Sequence, residues 1–223
     1  MRKTFDFLSK LDRNNNREWF QANKKLYEQS HAEMLEFTDQ VLQKMTLYDN
    51  IENRSPKKSL YRIYRDVRFG KDKTPYKTNW GGSLRRATAE LRGGYYFQMG
   101  PKGSFVMGGF FGPNPQDLLH IRKQLEQDGD SLRDIVTSNA FKSFFGKLLG
   151  EQLKTAPKGF SKEHPDIDLL RYKQFMVRHD FTEKEALSED FSDKVVDAFR
   201  QMRPFLDYMS DILTSDLNGR SLL

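Results

Sequence analysis

The sequence contains no cysteine, which excludes disulfides, thiolate nucleophiles and cysteine-ligated metals together and makes the cytoplasm the expected compartment. No apolar run approaches the roughly 20 residues that a membrane span needs, and Met1 to Asp6 lack the apolar segment of a signal peptide. A soluble, unexported protein with no membrane partner is therefore expected. Signatures of familiar chemistry are missing as well. There is no His-x-x-x-His pair, no carboxylate cluster at ligand spacing, no Gly-x-x-x-x-Gly-Lys-Ser/Thr loop and no Gly-x-Ser-x-Gly elbow. The common zinc, phosphate-loop and α/β-hydrolase readings fall away, no metal site is expected, and no cofactor is identified.

What is present is a polar chain with many aromatic rings. Of 223 residues, 37% are hydrophobic and 30% charged, but 18 are Phe, and rings in that number need burial, which argues against disorder. The length suits one α+β domain over residues 1–223 with a Phe-rich core. A net charge of +6 comes from 37 basic and 31 acidic residues. That excess is modest for a dedicated DNA binder, so clustering of the cations matters more than their total.

The cations concentrate over 54 to 92, and most densely in the stretch Arg62 to Lys77. There Arg62, Arg65, Arg68, Lys71, Lys73 and Lys77 face only Asp66 and Asp72, with Tyr64, Phe69 and Tyr76 between them. Over 60 to 69, Tyr61, Ile63, Val67 and Phe69 alternate with polar residues as a strand does. Leu60, Ile63, Tyr64 and Val67 also fit a helical stripe, and we read a strand.

Around this stretch the pattern predicts a short helix after a Thr4 cap, with Phe5, Leu8 and Leu11 on one face, and one long amphipathic helix from about 16 to 46. Three β segments follow, at 81–89, 94–99 and 104–111, the last two joined by a Gly100-Pro101-Lys102-Gly103 turn. Gly108-Gly109 marks a bulge or a close backbone approach. Asn114-Pro115 opens a helix of about 13 residues. Further helices are expected near Leu132 to Val136, over 138–149 and over 166–172, then a strand over 175–181 and a long C-terminal helix that Pro204 kinks. The expected fold is α+β: an antiparallel sheet of about four to five strands packed against a long N-terminal helix and a mostly helical C-terminal half.

Three sets of residues carry a resemblance: Asn14, Asn15, Arg17, Glu18, Trp19, Phe20, Asn23, Lys24 and Tyr27; the central Arg62, Arg65, Asp66, Arg68, Phe69, Lys73 and Tyr76; and Ala156 to Phe160 with His164-Pro165. In these the chain resembles the bacterial family of unknown function DUF2461, over nearly its whole length. The resemblance implies a single domain and supplies no reaction.

Two functional classes fit the residues. In the first, an enzyme acts on a phosphorylated or otherwise anionic small molecule. Arg62, Arg65, Arg68, Lys71, Lys73, Tyr76, Lys77 and Lys158 would hold the ligand, and Asp66, Glu18 or His164 would move a proton. In the second, the basic stretch contacts nucleic-acid phosphates while Tyr64, Phe69, Tyr76, Tyr95 or Tyr96 stack on bases. Each has a plainer counterpart. On a strand, Arg62, Asp66 and Arg68 would share one face and can form an ion-pair network, Lys71, Lys73 and Lys77 can be solvated loop charges, and His164 beside a proline can fix its loop.

Overall fold

Side-chain caps set where several helices begin. The computed structural model describes all residues, 1–223. The chain forms α1 (Arg2–Arg13), α2 (Arg17–Ala22), α3 (Lys24–Met45) and α4 (Pro56–Ser59), then β1 (Trp80–Arg85), β2 (Gly94–Met99) and β3 (Ser104–Phe110). It continues through α5 (Pro115–Gln127), α6 (Asp130–Thr137), α7 (Asn139–Phe145), α8 (Ile167–Leu170), β4 (Phe175–Phe181), α9 (Glu183–Ala186) and α10 (Phe191–Thr214). Asn16 caps α2 by accepting the Trp19 N–H, Asn114 caps α5 ahead of Pro115, and Thr182 with Glu185 closes a reciprocal capping box at α9. Each satisfies donors that a first helical turn leaves open.

The strands form one antiparallel sheet in the order β1-β2-β3-β4, so the fold is α+β. The turn between β2 and β3 closes with the Gly103 N–H donating to the Gly100 carbonyl. No helix is long and apolar enough to cross a membrane.

The chain's contacts gather into two compact units. The first comprises 1–85, 96–106 and 180–197, the second 86–95, 107–179 and 198–223. In the first, α3 packs against α1, α2 and β1, enclosing Leu8, Leu11, Met34, Val41, Trp80 and Leu84. The indole N–H of Trp80 donates to Ser30 Oγ at 2.8 Å. Phe37 meets Phe97 edge-on and stacks on Phe191. In the second, Tyr95 packs on Phe199 with ring centroids 4.9 Å apart, and the enclosed Arg86 side chain pairs with Asp207 and Ser210.

The structure departs from the sequence reading in three places. The segment 60–69 is neither strand nor helix. It makes only two isolated antiparallel bridges, Leu60 to Gly82 and Tyr64 to Tyr76. The expected long helix from 16 to 46 breaks at Asn23, whose backbone leaves the helical region with φ −111° and ψ 23°. Its side-chain amide instead donates to the Trp19 carbonyl at 2.9 Å, the local bonding by which Asn competes with helix propagation. Thr4 is no cap: α1 begins at Arg2, and Thr4 is buried inside it with its N–H on Glu33 at 2.8 Å.

Candidate functional site

The loop from Tyr61 to Asn79 is shaped by its own carboxylates. Asp66 accepts the Arg68 N–H at 3.2 Å and both ends of the Arg68 guanidinium, at 3.0 and 2.7 Å. Asp72 accepts the Thr74 N–H at 2.9 Å, the Thr74 hydroxyl at 2.8 Å and Arg65 Nη1 at 2.5 Å. Arg65 also donates to Thr74 Oγ1. Lys73 ties the loop across by donating to the Val67 carbonyl at 2.9 Å. Beside the Tyr64 to Tyr76 bridge, the Arg65 N–H bonds the Pro75 carbonyl and the Lys77 N–H the Ile63 carbonyl. The ion pairs depress both acids. Arg65 and Thr74 hold the Asp72 carboxyl far below its usual value, and Arg68, then Arg62, hold Asp66 low as well.

Two elements outside the loop complete a pocket. Asn15, between α1 and α2, clamps the backbone of Tyr76: its amide donates to the Tyr76 carbonyl at 2.9 Å, and its carbonyl accepts the Tyr76 N–H at 3.1 Å. The Tyr76 ring stacks on Phe20 with centroids 4.0 Å apart. Lys102, at the tip of the β2–β3 turn, reaches Asp12 at 2.5 Å. Together Asp12, Asn15, Arg65, Asp72, Tyr76, Lys77 and Lys102, with Thr74, Thr78 and Asn79, line a pocket of about 370 Å3.

The electrostatics of this pocket turn on Lys77. Arg65 is matched by Asp72 and Lys102 by Asp12. Lys77 has no carboxylate, and its ammonium lies 5.7 Å from the centre of the Tyr61 ring. Burial, then the charge of Arg62, lowers its pKa. One positive charge is thus left uncompensated, at a half-buried site where an ion is costly without a partner.

The structure therefore brings Arg65, Tyr76 and Lys77 together and leaves the other named residues outside that pocket. Arg62, Lys71 and Lys73 are exposed on the loop, and Arg68 is turned to Asp66. Glu18 is exposed in the first turn of α2. Lys158 and His164 belong to the second unit. Both ring nitrogens of His164 are engaged, Nδ1 with the Asp166 N–H at 3.1 Å and Nε2 with the Glu126 carbonyl at 3.1 Å. Asp66, pinned by a bidentate guanidinium, is a weak proton acceptor. Of the aromatic residues named for stacking, Tyr76 and Tyr95 are buried, whereas Phe69 and Tyr64 are exposed.

Asp12, Thr74 and Lys102 were not legible as site residues. Lys102 reads only as a turn residue, and nothing in its neighbourhood ties it to a loop some thirty positions earlier. Asn15 and Phe20 from the N-terminal pattern and Tyr76 from the central one do meet, through the clamp and the ring stack.

An α+β protein with a small polar pocket beside a basic loop is the class that this geometry defines. The chain belongs to the family described as conserved hypothetical protein (DUF2461), which matches residues 3–208. No curated protein and no solved structure matches it.

Proposed function

We propose that the protein binds a small anionic molecule, bearing a phosphate or a carboxylate, in the pocket between Asn15, the Arg65–Lys77 loop and Lys102. The observation that carries this reading is the Lys77 ammonium, half-buried at the pocket and without a carboxylate. An anion would neutralise it and meet Arg65 and Lys102 on the walls, whose donors can turn from their acidic partners to a ligand. This reading concerns binding. Asp66, the carboxylate of the basic cluster named for proton transfer, is held ionised by Arg68 and suits loop structure better than proton transfer.

Inorganic phosphate at constant ionic strength is the direct probe. A ligand present at about 100 times its Kd stabilises the folded state by about 2.7 kcal/mol, a rise in Tm of roughly 5–10 °C for a chain of this size. Lys77→Met keeps the stem and removes the charge, and it should abolish the rise. The absence of any shift with phosphate or citrate, or an equal shift in Lys77→Met, would reject the pocket as the anion site.

A second reading, nucleic-acid binding, is favoured by Phe69, which is 92% exposed and carries the Arg68 guanidinium 5.6 Å from its ring centre. An exposed ring among cations is the combination on which single strands stack. Oligonucleotide affinity that falls steeply with added salt would support it, and a flat salt response would exclude it.

A further inference from the structure

Lys77 belongs to two surroundings at once. It lines the anion pocket, and its ammonium rests over the Tyr61 ring. That ring is a prepared platform. Tyr61 is 43% exposed, yet its backbone is fixed by the Tyr61 N–H on the Gly81 carbonyl at 2.8 Å. Behind it stands Tyr96, at 6.3 Å and 30°, and Tyr96 packs in turn on Phe105 at 6.0 Å. Three rings in series hold a half-exposed aromatic face next to a cation that rests on it and makes no ion pair. Arg62 is exposed on the same loop, near enough to act on Lys77 electrostatically.

A cation resting on an exposed aromatic ring is held less firmly than one bonded to an anionic oxygen. A phosphate in the pocket therefore draws the ammonium off the ring, and the ring face becomes open to another planar group. Both changes are satisfied by one ligand that carries a phosphate and an aromatic ring within the length of a nucleotide.

From this arrangement we infer that the ligand class of the pocket is a nucleotide, with its phosphate on Lys77, Arg65 and Lys102 and its base stacked on Tyr61. The inference rests on the anion-site reading above and adds the base platform to it. The shared chemistry, a phosphate with a stackable base, is offered both by a free mononucleotide and by a nucleotide unit within a single strand.

Calorimetric titration of the full chain with AMP, ribose 5-phosphate and adenosine separates the parts. Stacking of one base on an aromatic ring predicts that AMP binds about fivefold to 150-fold more tightly than ribose 5-phosphate. Tyr61→Ala should remove that advantage, bringing the ratio of the AMP and ribose 5-phosphate affinities to about one, and Tyr61→Phe, which keeps the ring, should retain it. Lys77→Met should weaken both phosphates. Equal affinities for AMP and ribose 5-phosphate, both lost in Lys77→Met, would overturn the nucleotide inference and leave the anion site standing. No binding of either phosphate would overturn both. An AMP advantage that survives in Tyr61→Ala would place the base elsewhere and reject the platform. If a ten-residue oligothymidylate displaces AMP, the source is a single strand; if AMP binds and the strand does not displace it, the source is a free nucleotide, and either result upholds the inference.

Discussion

Phe20 and Tyr76 stack nearly parallel, with ring centroids 4.0 Å apart and an interplanar angle of 9°. Through this pair the N-terminal helices hold the end of the basic loop, because Tyr27 and Tyr64 also crowd onto Phe20 at 5.0 and 5.9 Å. Tyr76 is 4% exposed, and its hydroxyl makes no hydrogen bond within the protein. The ring, and not the phenol, is what the core uses.

Truncating that ring should thus be costly and removing its hydroxyl cheap. Tyr76→Ala is expected to lose about 3–5 kcal/mol, as for other large aromatic truncations in a core. Tyr76→Phe should cost less than about 1 kcal/mol, since no hydrogen bond is lost. Urea unfolding measures both. A Tyr76→Ala variant within about 1 kcal/mol of the parent would show that the stack does not hold the loop.

How far the sequence discloses this arrangement depends on which forces act locally. The β2–β3 hairpin, the start of α5 at Asn114-Pro115 and strand β4 are legible because turn chemistry, capping and alternation agree there with the tertiary packing. The segment 60–69 misleads because its alternation follows neither burial, since Ile63 is buried but Tyr61 and Phe69 are exposed, nor the course of the backbone bonds. Ile63 and Arg65 do pair with Lys77 and Pro75, but beyond them Asp66 and Asp72 capture the N–H groups of Arg68 and Thr74 and Lys73 takes the Val67 carbonyl, so the pairing does not extend into a ladder. The site divides in the same way. The basic run announces Arg65 and Lys77, whereas Lys102 and Asp12 reach the pocket through folding of distant segments, which no local pattern records.

The same carboxylates give the loop a pH signature. In the folded protein Asp72 is depressed below its ordinary 3.8, first by the Arg65 guanidinium and then by the Thr74 N–H and hydroxyl. A depressed acid stabilises the fold above its ordinary pKa, and that contribution disappears as the pH falls through the folded value. The order of the loop should accordingly persist through pH 3.8 and weaken only below it. Carboxyl-detected NMR titration should find Asp72 with a midpoint under 3.8, returning toward that value in Arg65→Met, while Asp66 stays low through Arg68. An Asp72 midpoint at or above 3.8 in the parent protein would mean that the ion pair does not form in solution.

Gly109 tests the packing of β3 on β4, and Gly103 supplies its control. The two share an unusual backbone, with φ +133° and +135°. They differ in surroundings. A Cβ at Gly109 would lie 2.2 Å from the Phe175 carbonyl oxygen and 2.9 Å from Met176 Cα, whereas one at Gly103 meets nothing within 4 Å. Alanine at either position meets a positive φ that side chains rarely adopt, a strain of about 1–3 kcal/mol. Only at Gly109 must the neighbouring strand also move, which adds about 1–3 kcal/mol of overpacking. Gly109→Ala should therefore unfold at clearly lower urea than Gly103→Ala. Because both glycines have nearly the same positive φ, the comparison sets the backbone contact between the strands against a similar φ without it. Equal midpoints would mean that β3 and β4 do not approach so closely at Gly109, and the Gly108-Gly109 pair would then reflect a local bulge alone.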